Sequence, residues 1–355
     1  MPSYIITGSG SFIPEHRITN AHFFQHEFYQ ADHQRLTDSG ERIAQKFESI
    51  TGIQERRYIA GNHVCSDMGT DAARKALLDA NISGESLDLL IAAHNFGDVT
   101  LGSVQTDVLP GIGARIKHNL GIQNPNCVAW DILFGCPGWL QGMIQAYVYM
   151  RAGDANKAMV VGTETLSRVL DLSDRDSMIF ADGAAATILE RIEEDGRGIL
   201  AYSVQTHTTT EAFYLNMGSS NKPGKDPGIH YIKMNGRKIY EYALQNVPHA
   251  MKMCLDKAGI PITAVDKILI HQANEKMDEA IVNRLYQLFG ISQMPEGIMP
   301  MSIRELGNSS VATIPTLYDL IQHNKMEDHS FKSGDILLMA SVGGGMHINA
   351  MVYRV

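Results

Sequence analysis

Apolar runs and helical stripes alternate along the whole chain. Residues 4–7 carry a short strand pattern, and the glycines that follow predict a turn. Residues 67–81 (DMGTDAARKALLDAN) predict a helix with Met68, Ala72, Leu77 and Leu78 on or near one face. Residues 89–93 predict a short buried strand. Residues 125–133 lead into a sharp turn over 134–138. The helix predicted next, over 139–152, is apolar nearly all round and should be buried on every side. Residues 158–162 and 184–189 predict two more buried strands.

The second half repeats the theme. Residues 237–258 predict a long helix, 267–271 (KILIH) a strand ending in polar residues, and 277–289 another helix. A further helix is expected over 310–323, and a strand over 336–341 that runs into Gly343, Gly344 and Gly345. Buried strands joined by helices argue α/β. The seam falls in the charged stretch 190–198 (ERIEEDGRG), which divides the chain into halves 1–195 and 196–355. Residues 206–228, rich in Thr, Ser, Asn, Gly and Pro, read as an irregular excursion over the core.

Composition narrows the classes. At 355 residues the chain suits two domains, or two halves sharing a core. Its 44% hydrophobic and 19% charged fractions are those of a soluble globular protein. A net charge of −9 argues against nucleic acid as a partner, and an acidic protein partner would need a local basic patch. No run approaches the roughly 18–20 apolar residues of a membrane helix. The N-terminal stretch lacks a basic start followed by a long apolar segment, so no secretory signal is expected. Cys65, Cys127, Cys136 and Cys254 form no CxxC pair and no zinc-like cluster, which is the usage of a reducing cytoplasm. No metal or redox cofactor is expected.

Four short segments carry candidate chemistry. In DILFGCPGWL (131–140) a strand ends, the chain turns, and a buried helix begins just after Cys136. A thiol there feels the positive end of the helix dipole, which favours thiolate, and its N–H can face a carbonyl oxygen. Taken alone, a buried structural cysteine is the slightly favoured account of the segment. HQAN (271–274) puts His271 at the C-terminal edge of a strand, where α/β active sites gather, although a core histidine is the plainer account. GNSS (307–310) precedes a helix and would also serve as a simple cap. Three successive glycines at 343–345 permit close backbone approach to a ligand, or merely a tight turn.

Taken together and in this order, the four resemble the ketoacyl-ACP synthase III family, which carries a strand-to-helix cysteine, HQAN, GN[TS]S and a C-terminal GGG. ITGSGSFIP (6–14), TGIQERR (51–57), GTETLSR (162–168), FADGAAA (180–186) and MNGRKIYEYA (234–243) extend the resemblance over almost the whole chain. It implies a thiolase-like fold, with two similar halves in a five-layer α-β-α-β-α arrangement, and a homodimer. It implies that Cys136 holds an acyl group as a thioester, that the N–H groups of Cys136 and Gly344 form the oxyanion hole, and that His271 and Asn308 stabilise the enolate of a decarboxylating malonyl thioester. It further assigns Leu109, Val342, Asn274 and Arg168 to substrate binding and Lys276 to docking of the acyl carrier protein. Substrates would arrive on the phosphopantetheine of that carrier or on coenzyme A. Near relatives are disfavoured. A biosynthetic thiolase would carry a second cysteine where Ser341 stands, and elongating ketosynthases use a histidine where Asn308 stands.

The chain departs from the family in two places. The Arg that helps grip the adenine of coenzyme A aligns with Ile50, and the Trp with Lys46 or Phe47, while Arg168 is retained. The connection over 97–108 is longer than usual, and Leu109 replaces the aromatic that reaches into the partner subunit's acyl pocket, leaving room for a longer or branched chain. The turn FGCPGW (134–139) resembles a branch that joins two carrier-bound acyl chains into dialkylresorcinol or cyclohexanedione precursors. A cysteine-dependent acyltransferase without condensation is a further alternative.

Overall fold

The structure is a computed structural model that describes residues 2–193 and 196–355. The first half contributes β1 (Ser3–Phe12), β2 (His16–Thr19), α1 (Gly40–Thr51), β3 (Glu55–Tyr58), α2 (Cys65–Asp79), β4 (Leu89–Ala93), α3 (Ile112–Asn119), β5 (Val128–Ile132), α4 (Gly138–Ala152), β6 (Lys157–Thr165) and β7 (Asp182–Ile192). The second contributes β8 (Gly198–Thr206), β9 (Leu215–Gly218), β10 (Tyr231–Met234), α5 (Gly236–Ala258), β11 (Lys267–Ile270), α6 (Glu275–Gln287), α7 (Ile303–Leu306), α8 (Thr313–Gln322), β12 (Ile336–Gly343) and β13 (His347–Arg354). The halves meet between β7 and β8, and the boundary expected at residue 195 lies outside the described residues.

Nine strands follow one another in the order β11-β12-β13-β8-β1-β7-β6-β4-β5. Among the described residues the only pairing between β8 and β1 is Tyr4 with Gly198, so there the sheet is two strand groups joined by a single bridge. Strand faces explain the layering. On β4, Leu90 and Ala92 face a core shared with α2 and α3, while Leu89, Ile91 and Ala93 face a core containing α4 and α8. On β12, Leu337 and Met339 enter that same central core, and Leu338 and Ala340 face α5 and α6. Both faces of each group are covered, which is why these strands read as unbroken apolar runs. The result is the expected five-layer order, with α2 and α3 outside one group, α4 and α8 between the groups, and α5 and α6 outside the other.

The central layer is the most apolar. Trp139, Leu140, Met143 and Ile144 of α4 are buried, each worth about 1.5–3 kcal/mol as fully buried side chains. Helix α4 stops at Gly153, whose φ of 91° suits glycine and lets Gly153 and Asp154 N–H groups close on the last-turn carbonyls.

The turn predicted after residue 7 is absent. Strand β1 runs on through Gly8 and Gly10, with a bulge between Ile6 and Gly8. These glycines serve packing. A Cβ on Gly8 would lie 2.5 Å from the Ala76 carbonyl oxygen of α2, and one on Gly10 would lie 2.6 Å from that of Ala72. The excursion over 206–228 contains one short strand, β9, paired with β10.

Candidate active site

Two loops bring the candidate residues to the head of α4. Cys136 follows Gly135, whose φ of 61° turns the chain out of β5. The glycine turn after β12 presses against it. A Cβ on Gly343 would sit 2.4 Å from the Cys136 nitrogen, and one on Gly135 would sit 2.6 Å from the Gly344 nitrogen. Any side chain at 343 would therefore displace the cysteine backbone. Phe134 stacks on His347 with ring centroids 3.9 Å apart, closing the same two turns from the side.

The second loop is 307–312. Gly307, at φ 65°, has no room for a Cβ beside Arg56 and Ala181. Asn308 is buried and tied by its backbone to the segment before β7, donating to Ile179 O (3.0 Å) and accepting from Ala181 N (2.8 Å). Its Oδ1 accepts from Ser310 N (2.8 Å), which leaves Nδ2 as its donor end. Ser310 is held at φ 53°, in the left-handed region, and its hydroxyl donates to Cys136 Sγ (3.3 Å).

Cys136 is partly exposed, yet its thiol lies deep enough that burial pushes it up to about 11; the Ser310 hydroxyl pulls it down, and the Glu164 carboxylate pushes it up. The expectation of a ready thiolate is thus opposed by desolvation, which the sequence does not reveal. Glu164, fully buried, is itself raised to about 7 by burial, against hydrogen bonds from Asn95. His271 follows β11, its N–H bonded to Ala340 O (2.8 Å). Burial lowers it to about 4, so the ring is neutral near pH 7. Its buried Nδ1 has no partner among the described residues, and a buried bare acceptor is more tolerable than a bare N–H, so the proton belongs on Nε2.

The remaining candidates are scattered. Val342 is buried on β12. Asn274 caps α6, accepting from Met277 N (3.1 Å). Lys276 is exposed in the first turn of α6. Leu109 is 87% exposed on the hairpin where Asp98 and Asp107 pair and both meet Arg115. Arg168 is buried rather than displayed, with Nη2 on Gly61 O (3.0 Å). Lys46 pairs with Asp38, and Ile50 is exposed.

The other familiar segments act as staples. Arg56 of TGIQERR is fully buried and donates to Met178 O, Ile18 O and Asn20 Oδ1. Asp182 of FADGAAA accepts from Ser167 N and Oγ and from Ile59 N, and burial raises it to about 6. Sequence reasoning missed Asn95 and Glu164. The available signal was an acid continuing the apolar run of β6, which demands a buried partner. Among the described residues, no three His, Cys, Asp or Glu side chains gather as a metal site, and no helix is long and apolar enough to cross a membrane.

Five layers with a cysteine at the head of the central helix define a thiolase-fold condensing enzyme of the acyltransferase class. Sequence profiles described as 3-Oxoacyl-[acyl-carrier-protein (ACP)] synthase III match residues 130–208, and the C-terminal profile of the same name matches residues 255–355. The chain is 30% identical over 350 residues to beta-ketoacyl-(acyl-carrier-protein) synthase III 1 of Halalkalibacterium halodurans, covering 98% of this chain and 97% of that one. It is 32% identical over 351 residues to beta-ketoacyl-(acyl-carrier-protein) synthase III of Staphylococcus haemolyticus, covering 98% of each. The crystal structure of 3-oxoacyl-(acyl-carrier-protein) synthase III from Aquifex aeolicus superposes with a TM-score of 0.80 at 28% identity, over 99% of this chain and 100% of that one. The chain belongs to the 3-oxoacyl-(acyl-carrier-protein) synthase III family.

Proposed function

We propose that the protein transfers an acyl group to Cys136 and condenses it with malonyl carried on acyl carrier protein. The observation that carries this reading is Cys136 itself, at the head of α4, receiving the Ser310 hydrogen bond and abutting the glycine turn. Cys136 sulfur attacks the acyl thioester carbonyl, and the carrier thiol leaves with a proton. The N–H groups of Cys136 and Gly344 hold the oxyanion. The malonyl C–CO2 bond then breaks, CO2 departs, and the electron pair becomes an enolate. Its oxygen is held by His271 Nε2–H and Asn308 Nδ2–H. The enolate carbon attacks the acyl–Cys136 carbonyl, and the Cys136 thiolate is expelled. Val342, Asn274 and Arg168 belong to the substrate path in this reading, the buried Arg168 through its neighbours rather than at an open surface. The two halves, 1–195 and 196–355, supply nucleophile and enolate holders respectively.

The exposed Lys276 suits an acidic carrier helix, and Ile50 in place of an arginine weakens an adenine grip, so acyl carrier protein is the preferred donor over coenzyme A. Four free cysteines suit a reducing cytoplasm. A homodimer fits the edge strand β5, where Val128 and the following Leu133 are exposed. A solution mass of one 39.1 kDa chain would remove the dimer. A second reading, condensation of two carrier-bound acyl chains, is favoured by the exposed Leu109 hairpin, which leaves room for a longer chain.

The test incubates the protein with malonyl and acyl donors on carrier protein or coenzyme A, followed by mass spectrometry of protein and products. Acylation at Cys136, lost in Cys136→Ala, with CO2 release and faster priming by acyl carrier protein that slows in high salt, is expected. Acylation elsewhere sinks the nucleophile, equal priming by coenzyme A with no salt effect sinks the donor preference, and a product retaining both chains without decarboxylation replaces the first reading by the second.

A further inference from the structure

A row of hydrogen bonds runs from a buried carboxylate to the sulfur of Cys136. Glu164, on β6, has no solvent exposure. Its Oε1 accepts from the Asn95 backbone N–H (2.8 Å) and its Oε2 from Asn95 Nδ2 (2.6 Å). Asn95 Nδ2 also donates to Ser310 Oγ (3.0 Å), and Ser310 Oγ donates to Cys136 Sγ (3.3 Å).

Donor counting fixes the direction of this row. An amide nitrogen has two hydrogens, and here one goes to Glu164 and the other to Ser310. A hydroxyl has one hydrogen. With a lone pair of Ser310 Oγ filled by Asn95, the hydroxyl hydrogen is left for the sulfur. Above its raised value of about 7, as at pH 8, Glu164 is mainly ionised, and an ionised carboxylate only accepts, so it forbids Asn95 from turning its oxygen inward. Were Glu164 neutral, the amide could reverse, its oxygen would attract the Ser310 hydrogen, and Cys136 would lose its donor.

We infer that Glu164 and Asn95 are positioning residues that fix Ser310 as a hydrogen-bond donor to Cys136 Sγ. This rests on Cys136 being the nucleophile. The donor acts twice: when sulfur sheds its proton to attack, and when sulfur is expelled from the tetrahedral intermediate as condensation completes. In both, negative charge grows on Sγ, and a hydrogen bond to a charged atom is stronger than one to a neutral atom.

A contrary effect exists, because the charge on Glu164 disfavours a thiolate at Cys136. The Ser310 hydrogen bond is the larger of the two influences. The groups acting on Glu164 are His94 at the end of β4, which favours its charge, and Asp182 of β7, which opposes it; Cys65 at the start of α2 feels its charge in turn, as does Cys136. The two effects predict opposite signs for Glu164→Gln. Loss of charge alone makes Cys136 more reactive. A glutamine amide that donates to the Asn95 oxygen reverses the row and makes Cys136 less reactive.

The experiment measures the rate of iodoacetamide alkylation at Cys136 across pH, by peptide mass spectrometry on the full chain, for wild type, Ser310→Ala, Asn95→Ala, the double variant and Glu164→Gln. Thermal melting identifies variants that keep the fold, and the isosteric Glu164→Gln decides if Asn95→Ala does not. Ser310→Ala should slow alkylation at pH 8 by about tenfold, as expected when a donor to a thiolate is removed. Asn95→Ala and Glu164→Gln should slow it in the same direction, and the double variant should be no slower than Ser310→Ala alone. Faster or unchanged alkylation in Glu164→Gln, or an additive double variant, overturns the inference. A wild-type protein that alkylates at Cys136 as described but takes no acyl group there would instead overturn the proposed function.

Discussion

The two sides of the site are built differently. Around Cys136 the polar atoms are committed: Glu164, Asn95 and Ser310 are joined in one row, and Ser310 is tied back to Asn308. Around His271 they are not. Among the described residues, His271 Nδ1, Ser341 Oγ and both carboxylate oxygens of Asp278 are buried without a hydrogen bond of ordinary geometry, Asp278 having only the weaker approach of the Ala273 and Asn274 backbones. Asp278 lies one turn beyond the Asn274 cap of α6, and Ser341 is the neighbour of Ala340, whose carbonyl holds the His271 N–H. The lesson is one of timing. In the proposed mechanism Cys136 is the nucleophile and must be aligned before substrate arrives, so its neighbours are fixed at folding. A donor to an enolate is needed only when that charge appears, so the other side can keep unspent polarity that costs stability.

The largest test of this division is on the enolate side. His271→Ala should lower condensation by about 100- to 1,000-fold, the usual scale for an oxyanion donor, while acylation of Cys136 survives; Asn308→Ala should lower condensation on the same scale and also slow acylation, because Asn308 Oδ1 holds Ser310. Single-turnover acylation followed by a malonyl chase separates the steps. Equal damage to both steps in His271→Ala would break the comparison.

Next in size is a change on the committed side. Gly343→Ala places a methyl 2.4 Å from the Cys136 nitrogen, and neither backbone can yield without moving Cys136. Acylation should slow by tenfold or more, with a stability loss of about 1–3 kcal/mol in urea unfolding. Unimpaired acylation would mean that the turn around Cys136 is softer than its contacts imply.

The smallest effects are on stability against pH, where the unspent groups have opposite signs. His271 is lowered to about 4, so between that value and about 6.5 the unfolded chain binds more protons and stability rises with pH. His271→Gln should flatten that rise. Asp278 is raised well above its ordinary range by burial, although the Ala273 and Asn274 backbones act the other way. There the folded state binds more protons, so its contribution falls as pH climbs above about 4. Asp278→Asn should stabilise the protein at pH 7 by about 1–2 kcal/mol and give no gain below pH 4, as read by urea unfolding at several pH values. A loss at pH 7 would show that Asp278 is used after all.

How far the sequence reached follows the same physics. Strand β4 was legible to the residue and α4 to within one, because burial on every side leaves an unbroken apolar signature. Strands β8 and β13 were not anticipated, although they lie at the middle of the sheet. Strand β8 carries Ser203, Gln205 and Thr206, which merge with the polar excursion after it, and β13 begins directly behind the glycine turn with His347 and Asn349 breaking its apolar run. Cys136, His271 and Asn308 were legible as motifs, whereas Asn95 and Glu164 were not, because their meaning lies in hydrogen bonds that cross 69 and 215 positions of sequence. Arg168 illustrates the converse: the motif was visible, but its burial was not.

The placement of the two tryptophans gives the molecule a pair of independent optical reporters. Trp139 is sealed in the central layer, three residues from Cys136, with its indole N–H on Thr187 Oγ1 (3.3 Å). Trp130 sits on edge strand β5, half-buried, with its N–H on Gln145 Oε1 (3.3 Å). Emission from Trp139 is shielded from aqueous quenchers and responds to what enters the core between the strand groups. Emission from Trp130 responds to whatever covers that edge, so one label-free spectrum, resolved by acrylamide quenching, separates events near Cys136 from events at the rim.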